Sequence, residues 1–95
     1  MAEKAETIWI DGALVPWDKG SVHLVSNTLH YGYGVFEGIR CYKTATGPAV
    51  FRLDAHLERF FNSAAILGFE IPYSRERLSR ATLETIAANG FEQCY

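Results

Sequence analysis

Two short runs of residues have the types and spacing to do chemistry. The first is Thr28-Leu29-His30-Tyr31-Gly32-Tyr33-Gly34-Val35-Phe36-Glu37-Gly38-Ile39-Arg40, which sets three glycines, three aromatics and a histidine within thirteen residues. Glycines at this density let a backbone bend sharply and approach another group closely. The interleaved aromatics supply rigid apolar walls. That combination suits the lining of a small-molecule pocket. The second run, Arg52-Leu53-Asp54-Ala55-His56-Leu57-Glu58-Arg59-Phe60, reads as a helix start, with Arg59 standing off the apolar stripe. A guanidinium is planar, stays charged at any working pH and meets phosphate oxygens two at a time, so Arg59 is a candidate anion ligand. Read alone, the same residues also describe a plainer molecule. In it a glycine-rich bend enters a strand with its aromatics in the core. Arg59 is then a solvated helical arginine, Arg40 an exposed strand arginine, and Trp9 and Trp17 pack the core or a hairpin. Gly32 to Gly38 is not a dinucleotide fingerprint, because its spacing is off by one and a strand follows where a helix should open.

The longer strings separate these readings. His-Tyr-Gly-x-x-Val-Phe-Glu-Gly-Ile-Arg at 30–40, followed by Arg-Leu-x-x-His-Leu-x-Arg-Phe at 52–60, resembles the branched-chain amino acid aminotransferases. These are class IV aminotransferases, of the pyridoxal phosphate fold type IV group, and the resemblance runs over nearly the whole chain. It implies a cofactor, pyridoxal phosphate, whose phosphate Arg59 would grip. It implies that Phe36 and Gly38 wall the pocket for a branched aliphatic side chain and that Tyr31 reaches into the pocket of a neighbouring subunit. It implies that Tyr95 opens a strand whose tyrosine hydroxyl helps hold the substrate α-carboxylate. His56 has a structural role at the helix start by the same comparison. The pocket roles agree with the chemistry, since an isobutyl group suits an aromatic wall and a missing Cβ at Gly38 leaves room for it.

The implied reaction moves the amino group of L-leucine, L-isoleucine or L-valine to α-ketoglutarate. It needs a lysine that bonds to the cofactor and moves the substrate α-proton. Lys4, Lys19 and Lys43 are the lysines of this chain, and they lie in a charged N-terminal segment, a polar loop and a turn approach. A solvated lysine keeps its proton near neutral pH, and none of the three sits in a setting like the family's catalytic position. The expectation is that residues 1–95 form the N-terminal small domain, that the C-terminal domain with the cofactor lysine is absent from this chain, and that no catalytic residue lies on it. The fragment alone should be inactive. The parent would be a homodimer or a higher homo-oligomer. Two relatives of the same fold are rivals, a D-amino acid transaminase and an aminodeoxychorismate lyase. They tend to carry an acidic residue where Tyr33 stands and lack the Phe-Glu-Gly-Ile-Arg ending. A non-catalytic binding or dimerisation module is the alternative from a different class.

Composition bounds the rest. Ninety-five residues make one small domain, which buries roughly 60–65% of its unfolded surface. With 48% hydrophobic and 14% aromatic residues, a packed core is expected rather than disorder. The net charge of −2 carries no basic stripe for nucleic acid. No apolar run approaches a membrane span, and the charged start Met-Ala-Glu-Lys-Ala-Glu lacks a signal peptide's apolar core. A cytoplasmic protein is expected, with Cys41 and Cys94 as free thiols and no metal site, since the histidines do not cluster with them at zinc-ligand spacing.

The elements that must position these residues follow from local chemistry. Asp11-Gly12 between two apolar runs predicts a tight hairpin, 7–10 with 13–15, and Pro16 limits its second strand. Residues 18–26 read as a loop and 28–32 as one helical turn. Val35 to Tyr42 reads as an extended strand, and a turn at 44–48 pairs it back with 49–52. Asp54 is the predicted N-cap of a helix with its apolar stripe at Leu57, Phe60, Phe61 and Ala64, stopping at Gly68. Ser74 caps a second helix through Leu78, Leu83 and Ile86, stopping near Gly90. Residues 91–95 open a strand, and a chain ending inside it is expected to be a piece of something longer. The sum is α+β, a mostly antiparallel sheet with two helices packed on one face.

Overall fold

The structure, a computed structural model, describes residues 5–95; Lys4 lies outside them. The first hairpin pairs β1 (Thr7–Ile10) with β2 (Ala13–Pro16). Its turn residues Asp11 and Gly12 have φ of 49° and 95°, the left-handed pair that a two-residue hairpin with right-twisted arms demands. Pro16 is the last residue of β2, where its missing N–H does no harm. A short 3₁₀ turn, Trp17–Lys19, and a loop lead to α1 (Asn27–Tyr31), which ends at Gly32 in the left-handed region. The second hairpin joins β3 (Cys41–Thr44) to β4 (Gly47–Val50). Two helices follow, α2 (Leu53–Leu67) and α3 (Arg75–Asn89).

The class is α+β with antiparallel pairing, as expected. The pairing is divided between two separate two-stranded sheets, with residues 17–40 between them. Helices α2 and α3 pack on each other, and α3 packs on β1. The expected strand over 35–42 begins only at Cys41; residues 32–40 have no strand ladder. The expected strand at 91–95 is present as one antiparallel bridge, Cys94 to Cys41, with both backbone hydrogen bonds made (2.8 and 3.1 Å).

Helix boundaries follow the local chemistry with one correction. Gly68 and Gly90 end α2 and α3 in the left-handed conformation, and the Ser74 hydroxyl accepts the Arg77 N–H at 3.0 Å. Asp54 is not the N-cap of α2. Arg52 holds that place at φ 53° and makes no side-chain cap, because the chain must turn from β4 into the helix within two residues. Asp54 falls in the first helical turn, where its charge still complements the helix dipole. The buried apolar residues among those described are Cys41, Leu57, Ala64 and Ala81. Leu83 was expected on the α3 stripe but is exposed. It lies five residues after Leu78, about 140° round a helix, whereas Ala81 falls on the packed side.

One side chain joins the end of α3 to the first strand. The Asn89 carbonyl oxygen accepts the backbone N–H groups of Glu6 and Thr7 at 2.8 and 3.0 Å, and its amide donates to the Thr7 carbonyl at 3.1 Å. It thus supplies a strand-like partner to an edge with none of its own. Asn89→Ala leaves these groups without a partner and is expected to lower stability by about 1–3 kcal/mol. Urea unfolding of the protein carrying this chain checks this, and an unchanged midpoint would contradict it.

Candidate functional site

The segment from Gly32 to Arg40 is held against α2 by side chains rather than by a ladder. Near its start the Tyr33 hydroxyl donates to the Leu67 carbonyl at 2.8 Å, satisfying one of the orphan carbonyls at a helix C-terminus. The Tyr33 ring meets Phe69 edge-on with centroids 4.9 Å apart. Further along, the Glu37 carboxylate reaches the other end of the helix. Arg59 donates its Nε to Glu37 Oε2 and its Nη2 to Oε1, both at 2.7 Å, and His56 Nδ1 lies 2.7 Å from Oε1. From Leu67 back to residues 56–59 the helix rises roughly 12–17 Å. Four extended residues span about 13 Å. An extended course for residues 33–37 is compatible with both anchors.

Charge and burial act together at Glu37. Its side chain is 7% exposed, whereas that of Arg59 is 68% exposed. The Arg59 hydrogen bonds, then that of His56, lower the Glu37 carboxyl from 4.5 to about 2, with burial opposing them. A carboxylate so held is ionised at neutral pH and only accepts, so His56 Nδ1 carries the proton. Arg59, facing that carboxylate, holds its own proton more tightly than usual. The guanidinium spends its Nε and one Nη2 hydrogen on Glu37. Both Nη1 hydrogens and the second on Nη2 remain for an end-on, bidentate partner. This donor set fits a phosphate group.

The other sequence-predicted residues fall into two places. Tyr95 lies against Gly38: a Cβ on Gly38 would collide with the Tyr95 hydroxyl. Arg40 stacks over the Tyr95 ring, its Cζ 5.4 Å from the centroid. Tyr31 and Phe36 are 81% and 87% exposed, so neither is a core aromatic. An 860 Å³ cavity lies between the hairpins and the helices, lined by Trp9, Leu57, Leu78 and Ile86 among others. Glu37, Ile39 and Cys41 line it, and Phe36, Gly38 and Arg40 do not. Arg59 does not line it either, so the cavity is not a chamber shared by all the predicted residues. Tyr95 is the one of them that reaches it.

Lys19 is exposed, and so is Lys43, which pairs with Glu92 at 3.3 Å. Cys41 and Cys94 are free thiols; burial first, and then the neighbouring Cys41, pushes the Cys94 thiol upward. Among the described residues no group of three or more His, Cys, Asp or Glu could hold a metal ion, and no helix is long and apolar enough to cross a membrane. The motif spacing did not single out Glu37 as the partner of His56 and Arg59. The available signal was His56 and Arg59, three apart and therefore on one helix face, which call for a shared anionic partner.

Residues 34–95 match the amino-transferase class IV family. The chain belongs to the class IV aminotransferases. It is 47% identical over its full length to the branched-chain-amino-acid aminotransferase of Pseudomonas aeruginosa and 42% identical over 98% of its length to that of Escherichia coli K12. It superposes with a TM-score of 0.95, at 50% identity over 97% of its length, on a T.th. branched-chain amino acid aminotransferase complexed with N-(5'-phosphopyridoxyl)-L-glutamate. The Escherichia coli enzyme structure superposes at 0.92, at 42% identity over 95% of the chain. The chain spans about 30–31% of the length of these class IV relatives.

The lowered Glu37 pKa sets a pH dependence. Between about 2 and 4.5 the unfolded chain binds a proton there that the folded chain refuses, so this link stabilises fully above that window and fades as the pH falls through it. Glu37→Gln should be less stable than the native protein above pH 4.5, with the gap closing on acidification. Parallel acid-unfolding curves for the two proteins would contradict this.

Proposed function

We propose that this chain is the N-terminal small domain of a branched-chain amino acid aminotransferase. Such an enzyme transfers the amino group of L-leucine, L-isoleucine or L-valine to α-ketoglutarate with pyridoxal phosphate. The observation that carries the reading is Arg59, fixed edge-on by Glu37, with its end-on donors left over beside the Phe36-Glu37-Gly38 segment. The likeness to the branched-chain enzymes over nearly the whole chain supports it. Rival substrates of the same fold have less support, since the relatives compared above are branched-chain enzymes and Tyr33 stands where those rivals tend to carry an acid.

Bound to the whole enzyme, the cofactor supplies the electron sink that eases breakage of the substrate Cα–H bond. This chain's residues bind and orient. Arg59 holds the phosphate. Phe36 walls the aliphatic side chain, and the absent Cβ of Gly38 lets the Tyr95 hydroxyl pack close to the segment, where it meets the α-carboxylate. Tyr31, exposed here, is covered by a second subunit and completes that subunit's pocket. The proton is moved by a lysine of the C-terminal domain, which lies outside residues 1–95. The oligomer is a homodimer or larger, working in the cytoplasm.

Two substitutions in the full-length enzyme test these roles. Arg59→Ala should release pyridoxal phosphate on dialysis that the native enzyme retains, measured by the visible absorbance of the protein fraction; full retention would return Arg59 to the solvent-exposed surface. Gly38→Ala pushes on Tyr95 and narrows the aliphatic site. It should lower kcat/KM for L-leucine by roughly 10–200-fold, the effect of about one methylene in a tight pocket, with cofactor retention unchanged. Equal activity of Gly38→Ala on L-leucine, or a native enzyme that prefers D-alanine, would overturn the substrate assignment.

A further inference from the structure

We propose that Glu37 is the positioning residue of the phosphate clamp: its side-on grip sets the plane of the Arg59 guanidinium so that the unused Nη1 and Nη2 donors meet a phosphate monoester dianion end-on. The inference rests on the reading that Arg59 is the clamp, and adds which group aims it.

The geometry carries the argument. Arg59 is a long side chain, 68% exposed, and an exposed arginine samples many rotamers. Ordering such a side chain costs up to about 2 kcal/mol of conformational entropy. In this fold that ordering is done before any ligand arrives, by two hydrogen bonds of 2.7 Å to one carboxylate. The carboxylate is itself fixed. Its side chain is 7% exposed, its Oε1 also meets His56 Nδ1 at 2.7 Å, and its backbone belongs to a segment that Tyr33 also ties to the helix at the Leu67 carbonyl. A side-on pair uses the Nε edge and leaves the end-on edge free, so grip and ligand do not compete for the same hydrogens. The arrangement has an opposing effect. A carboxylate beside an anion site repels the anion, and the proposal holds only if pre-organisation outweighs that repulsion. His56, donating to the same Oε1, draws charge away from the ligand side.

Binding of pyridoxal phosphate and of phosphate-free pyridoxal to the full-length apoenzyme decides the matter, because their affinity ratio isolates the phosphate contribution. The native protein, Glu37→Gln, Arg59→Ala and the double variant form a cycle. Glu37→Gln should reduce the ratio by roughly tenfold or more, the loss expected when charge-assisted hydrogen bonds are weakened, and leave pyridoxal binding unchanged. In the Arg59→Ala background it should do nothing further. A ratio reduced by Arg59→Ala but unmoved or raised by Glu37→Gln overturns this inference alone. A ratio unmoved by Arg59→Ala overturns the clamp reading and this inference with it. A measurement on the native protein covers a variant that fails to fold. The Arg59 Nε–H, followed by ¹⁵N NMR, should stay protected from exchange when inorganic phosphate or the cofactor binds. Loss of that protection on binding means that Arg59 leaves Glu37 to reach the phosphate, and overturns the proposal.

Discussion

A single carboxylate ties the unpaired segment before β3 to helix α2. Residues 34–39 lie in no strand, and the backbone hydrogen bonds of the segment fall at its ends, at Gly32, Tyr33 and Arg40. Between those ends Glu37 accepts from two side chains one turn apart on α2, while Tyr33 holds the other end of the same helix. The segment is therefore tied to one helix at two places, near Leu67 and on the His56–Arg59 face.

The same anchoring explains why the predicted ligand residues do not gather in one enclosed pocket. The 860 Å³ cavity sits on the helix side of the segment and is lined mainly by apolar residues of β1, α2 and α3, with polar exceptions such as Glu37. Phe36 and Tyr31 face solvent, and Arg59 presents its donors outward. In the proposed reading these residues form one wall of a site rather than a whole one. That wall would combine a fixed cation at Arg59, an exposed aromatic at Phe36 and a close contact between Gly38 and Tyr95.

Much of this fold is legible in the sequence because its signals are local. Asp11-Gly12, Gly68, Gly90 and Ser74 act through φ preference or a single hydrogen bond, which depend little on distant residues. What escaped reading depends on distance. The Asn89 link spans 82 residues and the Glu37 bridge 19 and 22, so neither leaves a periodic trace. The strand expected over 35–42 failed for a related reason: alternation reports an extended chain but not whether a partner strand exists. Asp54 misled because its residue type suits a cap, whereas the tight turn out of β4 handed that position to Arg52. The chemistry of Arg59 makes it a candidate anion ligand from sequence alone, whereas its side-on pairing with Glu37 is visible only in the fold.

The alternation along this segment divides labour between neighbouring residues. Glu37, Ile39 and Cys41 turn toward the cavity and the helices, and Cys41 also takes the backbone bridge to Cys94. Phe36, Gly38 and Arg40 do not line the cavity; Phe36 is free in solvent, while Gly38 and Arg40 meet Tyr95. In an extended chain successive side chains project to opposite sides, so anchorage and recognition are carried by alternate positions. A change of size at Phe36 alters an exposed surface, and one at Gly38 pushes on Tyr95, without loosening the grip on α2. A change at Glu37 alters the grip, and through it the aim of Arg59, while leaving the wall's surface in place. The two properties a binding domain must set, what it accepts and how firmly it is held in register, are thus separable by a shift of one residue.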